Sequence, residues 1–191
     1  MNSSILDLPS DRSIVLVGLM GAGKSAIGRR LAARLGIRFV DADAEIEEAA
    51  GLSIEDIFEV HGEAAFRDGE RRVLRRLLSE PACVIATGGG AFMDADTRAL
   101  IKETGLSIWL RADLELLLAR VSRRDNRPLL KGGDKREILE TLIAERYPVY
   151  GEADITVDTE DGPHDQMVDK VIAAIGDYLA GDGSSLDGAA P

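Results

Sequence analysis

The clearest chemical signal in the sequence is a glycine-rich segment that ends in Lys24 and Ser25. Residues 18–25 match the phosphate-binding pattern G-x-x-x-x-G-K-[ST]. The segment follows an apolar run, Ser13–Val17, and opens a helical pattern over Lys24–Leu35, which is the context that the pattern requires. Backbone N–H groups would hold a polyphosphate, Lys24 would neutralise its outer phosphates, and Ser25 would offer its hydroxyl to Mg²⁺. The segment predicts a nucleotide site; the alternative is an ordinary glycine-rich turn.

Two carboxylates, Asp41 and Asp43, follow the next apolar run, at residues 37–40. Ligands of open α/β sheets bind at the carboxyl ends of strands, and side chains two apart in a strand point the same way. Two like charges this close are costly unless a cation or a hydroxyl-bearing ligand takes them up. We interpret Asp41 as directed to magnesium and Asp43 to a substrate hydroxyl. Alternatively, either residue caps a helix over residues 44–50.

Arg67 and Glu70 are candidates for binding an anionic acceptor. Residues three apart share one side of a helix, so an ion pair could fix the direction of the guanidinium. An arginine held in this way is a good two-pronged receptor for a carboxylate. The alternative is an ordinary surface ion pair.

Three successive glycines, residues 88–90, follow Thr87 at the end of another apolar run. Without Cβ atoms, this stretch would let a small polar ligand approach the backbone; the alternative is a flexible turn. Residues 122–133 form an irregular stretch rich in arginine, with Arg127 before a proline. This charge predicts a lid that closes over phosphates, and the alternative is a plain exposed loop.

The elements that must position these residues are short apolar strands alternating with helices. The predicted strands are residues 13–17, 37–40, 82–86, 106–110 and 154–157. Such alternation predicts an α/β fold with a parallel sheet covered on both faces. A helical insertion is predicted at about residues 41–79, with one helix capped by Ser53 and a second after a break at Gly62. We expect one domain over residues 13–180, with disordered tails at 1–12 and 181–191.

The composition disfavours several other functions. Lys and Arg number 23 and Asp and Glu number 34, so the formal net charge is −11 at pH 7, and aromatic residues make up 4% of the chain. Such a chain lacks the basic surface and stacking platforms of a nucleic-acid binder, and an anionic membrane would repel it. The single cysteine, Cys83, excludes an intramolecular disulfide, and no apolar run is long enough to span a membrane. We expect a cytoplasmic protein.

These segments, in this order and spacing, resemble the shikimate kinase family. The resemblance covers about residues 13–179 and also includes residues 127–130 and Arg146, Tyr147 and Tyr150. It implies a P-loop kinase of three α/β/α layers, with a five-stranded sheet in the order 2-3-1-4-5. It also implies ATP-dependent phosphorylation of the 3-hydroxyl of shikimate, giving shikimate 3-phosphate and ADP, on the route to chorismate and the aromatic amino acids. The implied partner is this small molecule, and we expect a monomer.

The resemblance also implies a role for each site residue. Arg67 and Arg146 are similar to the arginines that bind the shikimate carboxylate, and Asp43 to the residue that binds a hydroxyl. Arg127 resembles an arginine that bridges phosphates and acceptor, and Arg120 one that packs on adenine. The implied catalytic residues are Lys24, Asp43 and Arg127. The implied substrate-binding residues are Asp43, Arg67, Gly88, Gly89, Gly90 and Arg146. The implied residues for ATP are Gly21, Ala22, Gly23, Lys24, Ser25, Ala26, Arg120 and Arg127, and those for Mg²⁺ are Ser25 and Asp41.

Other functions are less compatible with the sequence. A gluconate-type sugar-acid kinase would share residues 18–25 but not Arg67 and Arg146 around a triple glycine. A GTP-dependent switch protein would need the patterns D-x-x-G and N-K-x-D, and neither occurs in the chain. A catalytically inactive nucleotide-binding module is disfavoured by the presence of Lys24, Asp41, Asp43 and Arg127.

Overall fold

A computed structural model describes residues 12–123 and 134–183 of the chain. Within them, five parallel strands form one sheet in the order β2-β3-β1-β4-β5. The strands are β1 Ser13–Val17, β2 Arg38–Asp41, β3 Cys83–Ala86, β4 Gly105–Arg111 and β5 Ile155–Asp158. The predicted fold class and strand order are confirmed.

Helices cover both faces of the sheet. They are α1 Lys24–Leu35, α2 Ala42–Ala50, α3 Ile54–Ser79, α4 Ala95–Thr104, α5 Leu114–Ser122, α6 Lys135–Tyr150 and α7 His164–Gly183, with a short 3₁₀ turn at Ala91–Met93. The connection from β1 to β2 runs one way along the sheet, and those from β3 to β4 and from β4 to β5 run the other way. Because such crossovers are right-handed, α1 lies on one face and α4 and α6 lie on the other. α7 packs against α1 and completes the first layer.

The central strands read as continuous apolar runs because both of their faces are covered. Every residue of β1 and of β3 is buried. Their register pairs Leu16 with Ala86, so the two strands end at the same edge of the sheet. Thr87 continues this alignment, since its backbone N–H and its hydroxyl both donate to the carbonyl oxygen of Leu16. The glycine run after β3 is therefore held beside the phosphate-binding segment after β1.

Strand ends differ from the predicted ones by one residue in most cases, and local hydrogen bonds explain two of the differences. Ile37 was expected to begin β2, but its N–H donates to the carbonyl oxygen of Ala32 and so belongs to the end of α1. Asp154 was expected to begin β5, but its carboxylate accepts hydrogen bonds from the N–H and hydroxyl of Ser107. It acts as a side-chain link to β4, and β5 begins one residue later.

The predicted helical insertion between β2 and β3 consists of α2 and α3. Ser53 caps α3, because its hydroxyl accepts from the N–H of Asp56 at 3.1 Å. The predicted break falls at Gly62, which has φ 79° and ψ 172° inside the 26-residue helix. The parts of α3 before and after Gly62 are therefore the two helical segments that the sequence predicts, and they are joined directly at this glycine.

The predicted tails and lid overlap the described residues only in part. α7 continues to Gly183, three residues into the stretch predicted as a C-terminal tail. The predicted lid begins in the described chain with Ser122, the last residue of α5, and Arg127 lies outside the described residues. None of the described helices is both long enough and apolar enough to cross a membrane.

Candidate active site

The phosphate-binding segment is a turn between β1 and α1 that depends on glycine. Gly18 has φ 140° and Gly23, which precedes α1, has φ 100°, and both values belong to the left-handed half of the map. A Cβ at Gly18 would also lie 2.8 Å from the carbonyl oxygen of Leu110 on β4. Gly23 supplies no side chain to cap α1, so the first N–H groups of the helix can serve a ligand. The turn has the backbone geometry of a phosphate site.

The ammonium group of Lys24 lies beside this turn. Its Nζ donates to the carbonyl oxygens of Gly18 and Leu19, at 2.7 and 3.0 Å. These bonds hold the positive charge next to the N-terminus of α1, where the helix dipole also favours an anion. The position suits the predicted role of Lys24 at the outer phosphates.

Arg120, on α5, contacts the same turn. Its Nη1 donates to the carbonyl oxygens of Gly21 and Ala22, at 3.2 and 3.3 Å. Its Nη2 donates to the carbonyl oxygen of Glu160, just after β5, at 2.8 Å. Arg120 therefore links the turn to the segment that follows the edge strand, while its packing on adenine stays a prediction.

Asp41 has two functions at the end of β2. One carboxylate oxygen accepts from the Ser25 hydroxyl at 2.8 Å, and the other accepts from the N–H of Asp43 at 3.2 Å, which caps α2. The helix-cap alternative is therefore correct for Asp41, and it does not exclude a role at a metal. Among the described residues no group of three or more His, Cys, Asp or Glu could hold a metal ion by itself. The Ser25 hydroxyl and the Asp41 carboxylate are hard oxygen donors, and Mg²⁺ binds few protein ligands besides phosphate and water, so this pair fits it.

Asp43 lies in the site, but on a helix rather than on the extended strand that the sequence predicts. It lies in the first turn of α2, so the expectation that Asp41 and Asp43 point the same way along an extended strand is wrong. Its Oδ1 would lie 2.7 Å from a Cβ at Gly88. Burial raises the pKa of Asp43, as does the neighbouring Asp41, while Lys24 opposes the shift. The carboxylate thus lies between the phosphate-binding turn and the glycine run.

The predicted ion pair between Arg67 and Glu70 is present, with Nη1 of Arg67 at 2.8 Å from Oε2 of Glu70. The side chain of Glu70 is only 4% exposed, so the alternative of a surface pair is wrong. Burial raises the pKa of Glu70, and the hydrogen bond and charge of Arg67 oppose this rise. Nη2 of Arg67 also lies 3.4 Å from Oε1 of Glu63. These two carboxylates hold the guanidinium, whose terminal nitrogens also lie beside Gly90.

The three glycines each accommodate a different charged side chain. Gly88 faces Asp43, and a Cβ at Gly89 would lie 3.2 Å from Nη1 of Arg146. A Cβ at Gly90 would lie 2.5 Å from both terminal nitrogens of Arg67. These contacts explain the glycines, because a Cβ at Gly88 or Gly90 would displace the charged group and one at Gly89 would crowd Arg146. The run is the floor on which one carboxylate and two guanidinium groups from α2, α3 and α6 converge.

A cleft of about 340 Å³ opens at this point. Arg67, Gly90 and Arg146 line it, together with Glu63, Met93, Asp94 and Glu145. Its two guanidinium groups can bind one carboxylate in the geometry that arginine favours. The cleft has the size of a site for a small metabolite.

Comparison with known proteins identifies this arrangement. A sequence model of the shikimate kinase family matches residues 20–176. The chain belongs to the shikimate kinase family. The shikimate kinase of Paramagnetospirillum magneticum is 61% identical over 168 residues, which are 88% of this chain and 86% of that protein. That of Rhodopseudomonas palustris is 57% identical over 169 residues, which are 88% of this chain and 83% of that protein. A solved shikimate kinase from Acinetobacter baumannii, in complex with shikimate, has a TM-score of 0.82 at 42% identity and covers 86% of this chain and 92% of its own.

Membership of the shikimate kinase family decides between the functions left open by the sequence. Its members are kinases, which use ATP, and the binding of ATP at the phosphate-binding turn stays a prediction. The glycine run with Arg67 and Arg146, which distinguished this family from sugar-acid kinases, is present in the fold.

The resemblance includes Glu63 and Tyr150, but the sequence did not predict the contacts that these two residues make in the site. Glu63, four residues before Arg67, is a second carboxylate on the guanidinium, and helical spacing could have indicated it. Tyr150 donates a hydrogen bond to the carbonyl oxygen of Gly89. No local pattern indicates that contact, because it joins residues 61 positions apart.

Proposed function

We propose that this protein transfers the γ-phosphoryl group of ATP to the 3-hydroxyl of shikimate, giving shikimate 3-phosphate and ADP on the route to chorismate. The observation that carries the proposal is the convergence of Asp43, Arg67 and Arg146 on three successive glycines beside the phosphate-binding turn. Shikimate offers a carboxylate for the arginines and a hydroxyl for the aspartate. The glycines allow the ring to lie close to the backbone.

The carboxylate of the acceptor would lie between Arg67 and Arg146. Arg67 is held by Glu70 and Glu63, and a guanidinium held in this way loses little freedom when it binds. The buried Glu70 pairs with that guanidinium and keeps its charge partly balanced. The arginine pair therefore favours a planar monoanion over a neutral sugar.

The phosphates of ATP would bind along the turn at residues 18–25. The proposed donors are the backbone N–H groups of Gly21, Ala22, Gly23 and Ala26, with Lys24 and Ser25. Phosphoryl transfer needs positioned reactants and stabilisation of charge on the transferred group rather than covalent chemistry from the protein. Lys24 supplies positive charge for this purpose. Arg127, outside the described residues, is proposed as a second cation on the resemblance alone.

Mg²⁺ would be held by the Ser25 hydroxyl and the Asp41 carboxylate, whose oxygens are 2.8 Å apart. When bound, it would neutralise phosphate charge and shield the attacking hydroxyl from repulsion. Asp41 keeps its second oxygen on the N–H of Asp43, so the carboxylate stays fixed by the start of α2.

Asp43 would orient the attacking 3-hydroxyl by accepting its hydrogen bond. Its pKa is raised by burial and by Asp41, and a raised pKa makes it a better proton acceptor once ionised. A loose transition state needs proton removal only late, so orientation is its first role. Lys24 lies close enough to oppose the pKa shift and to favour the ionised form.

The test is a coupled assay of ADP release with ATP, Mg²⁺ and a panel of hydroxy acids that includes shikimate and gluconate. We expect turnover with shikimate and none with gluconate, and the reverse result would overturn the proposal. Lys24→Ala should lower kcat by about 100-fold or more, the effect of losing a transition-state donor of about 3 kcal/mol. Activity of Lys24→Ala within threefold of the native protein would contradict the nucleotide assignment.

A cytoplasmic, monomeric enzyme is part of the same proposal. The single cysteine, Cys83, is buried in β3 and suits a reducing compartment. Light scattering on the purified protein would measure its mass against the 20.5 kDa of one chain.

A further inference from the structure

Tyr150, the last residue of α6, is completely buried at the centre of an aromatic cluster. Its ring centroid lies 5.9 Å from that of Trp109 and 6.5 Å from that of Phe92. Trp109 belongs to β4 and Phe92 to the 3₁₀ turn after the glycine run. The ring is therefore fixed by both the sheet and the turn, and its hydroxyl has a defined position.

That hydroxyl lies at the floor of the proposed acceptor site. It donates to the carbonyl oxygen of Gly89. A Cβ at Gly89 would lie 3.8 Å from the hydroxyl oxygen and 3.2 Å from Nη1 of Arg146, so both side chains lie against this glycine. They come from one face of α6, because residues four apart are neighbours on a helix.

The chemistry of the hydroxyl determines the direction of its hydrogen bonds. Burial raises the pKa of Tyr150, while the charge of Arg146 and its hydrogen bond to the hydroxyl oppose the rise. The phenol therefore keeps its proton at neutral pH and has one hydrogen to donate. Gly89 takes that hydrogen, which leaves the oxygen lone pairs for the guanidinium.

We propose that Tyr150 is a positioning residue for the acceptor carboxylate, because its hydroxyl joins the guanidinium of Arg146 to the carbonyl of Gly89. This inference rests on the proposed function of the site. One guanidinium N–H is used on the tyrosine oxygen, and the same side chain lines the cleft. Tyr150 thereby orients Arg146, as Glu70 orients Arg67. A neutral partner suits Arg146, since it leaves the whole positive charge for the substrate.

Tyr147 offers a matched control in the same helix. Its hydroxyl donates to the carbonyl oxygen of Ala112, after β4, and burial raises its pKa to about 12. Its ring also packs against Trp109, with the centroids 4.9 Å apart. Tyr147→Phe and Tyr150→Phe therefore each remove one hydroxyl that bonds to a backbone carbonyl beside the same tryptophan. They differ in whether the acceptor site, through Gly89 and Arg146, is affected.

The experiment compares steady-state kinetics of both variants with ATP and shikimate. We expect Tyr150→Phe to raise KM for shikimate about five- to tenfold, as expected for loss of one orienting hydrogen bond, with KM for ATP changed less than twofold. Tyr147→Phe should change neither. KM does not depend on the folded fraction of the enzyme, so a loss of stability alone cannot produce this pattern.

A double-mutant cycle with Arg146→Lys shows whether Tyr150 acts through Arg146. In the Arg146→Lys background, Tyr150→Phe should raise KM for shikimate less than twofold further, because the guanidinium it positions is gone. Additive effects, or equal changes of both KM values, would overturn the inference while leaving the proposed function intact. Native protein that turns over ATP with another hydroxy acid but not with shikimate would overturn both.

Discussion

Gly90 leaves no room for a side chain, since a Cβ there would lie 2.5 Å from both terminal nitrogens of Arg67. Gly90→Ala must therefore displace the guanidinium. We expect KM for shikimate to rise about tenfold or more, and KM for ATP to change less than twofold. Steady-state kinetics with each substrate varied in turn measure both values.

Gly69→Ala is the control for this substitution. Gly69 lies within α3, and a Cβ there would meet nothing within 4 Å. The variant should keep both KM values and gain up to about 1 kcal/mol of stability from better helix propensity. If Gly69→Ala and Gly90→Ala raised KM for shikimate equally, the contact with Arg67 would not be the cause.

The buried carboxylate of Asp43 lowers the free energy of unfolding at neutral pH. The folded protein binds the proton of Asp43 more tightly than the unfolded chain, because burial raises its pKa above the ordinary 3.8. The stability associated with this group is thus greatest at low pH and is lost as the pH rises through the raised pKa. Asp43→Asn should therefore melt at a higher temperature than the native protein at pH 7, and this advantage should shrink as the pH falls toward 4.

The same substitution should lower kcat by about 100-fold or more, because an amide cannot accept the hydroxyl proton and orients the hydroxyl less well. Thermal melts from pH 4 to 8, together with kinetics at pH 7, measure the two effects. Asp177→Asn, an exposed position on α7, serves as the control and should show neither. If the Asp43→Asn variant were less stable than the native protein at pH 7, the carboxylate would instead be stabilising the fold.

The residue-level predictions succeeded where the pattern is local. The spacing of three predicts the Arg67–Glu70 pair, and that pair is present. The burial of Glu70 could not be predicted, because it depends on which face of α3 meets the sheet edge. Asp41 and Asp43 were predicted to share a direction, but a helix that begins at Ala42 changes the geometry between them.

The sequence predicts correctly whether each element is a strand or a helix, and it predicts the first and last residues less well. Apolar runs indicate strands regardless of their neighbours, so all five were found. Their ends depend on competing hydrogen bonds, such as the one from Ile37 to the end of α1, which the sequence does not show. The order of the strands came from the family resemblance, since apolar patterns do not specify which strands pair.

Gly62 provides a test of the kink inside α3. Its φ of 79° belongs to the left-handed region, where a residue with a Cβ is strained, while no atom would contact that Cβ within 4 Å. Gly62→Ala should therefore destabilise the protein by about 1–3 kcal/mol through backbone strain alone, because φ 79° with ψ 172° is a region that is essentially confined to glycine. Chemical denaturation measures the change, and Gly69→Ala in the same helix is again the control. A stabilised Gly62→Ala protein would mean that α3 can straighten without cost.

The molecule as a whole combines an acidic surface with a cationic acceptor site. The chain has a net charge of −11, yet the cleft contains two arginines. Glu63 and Glu70 pair with Arg67, and Asp94 lines the same cleft, so carboxylates partly balance the positive charge there. The composition of the whole chain therefore does not predict the positive charge of the cleft, because tertiary contacts bring the two arginines together.

Ligand binding should be visible as stabilisation of the entire domain. A ligand at 100 times its Kd stabilises the folded state by about 2.7 kcal/mol, and a domain of this size melts about 2–4 °C higher per kcal/mol. Shikimate at that concentration should therefore raise Tm by about 5–10 °C.

Arg67→Lys keeps the charge but loses the two-pronged geometry, so a tenfold weaker Kd would remove about half of this shift. The shift produced by ADP should stay unchanged, because Arg67 contacts Glu70, Glu63 and the glycine run rather than the phosphate-binding turn. Thermal melts with each ligand alone make the comparison, and a variant that lost the ADP shift while keeping the shikimate shift would place Arg67 in the nucleotide site.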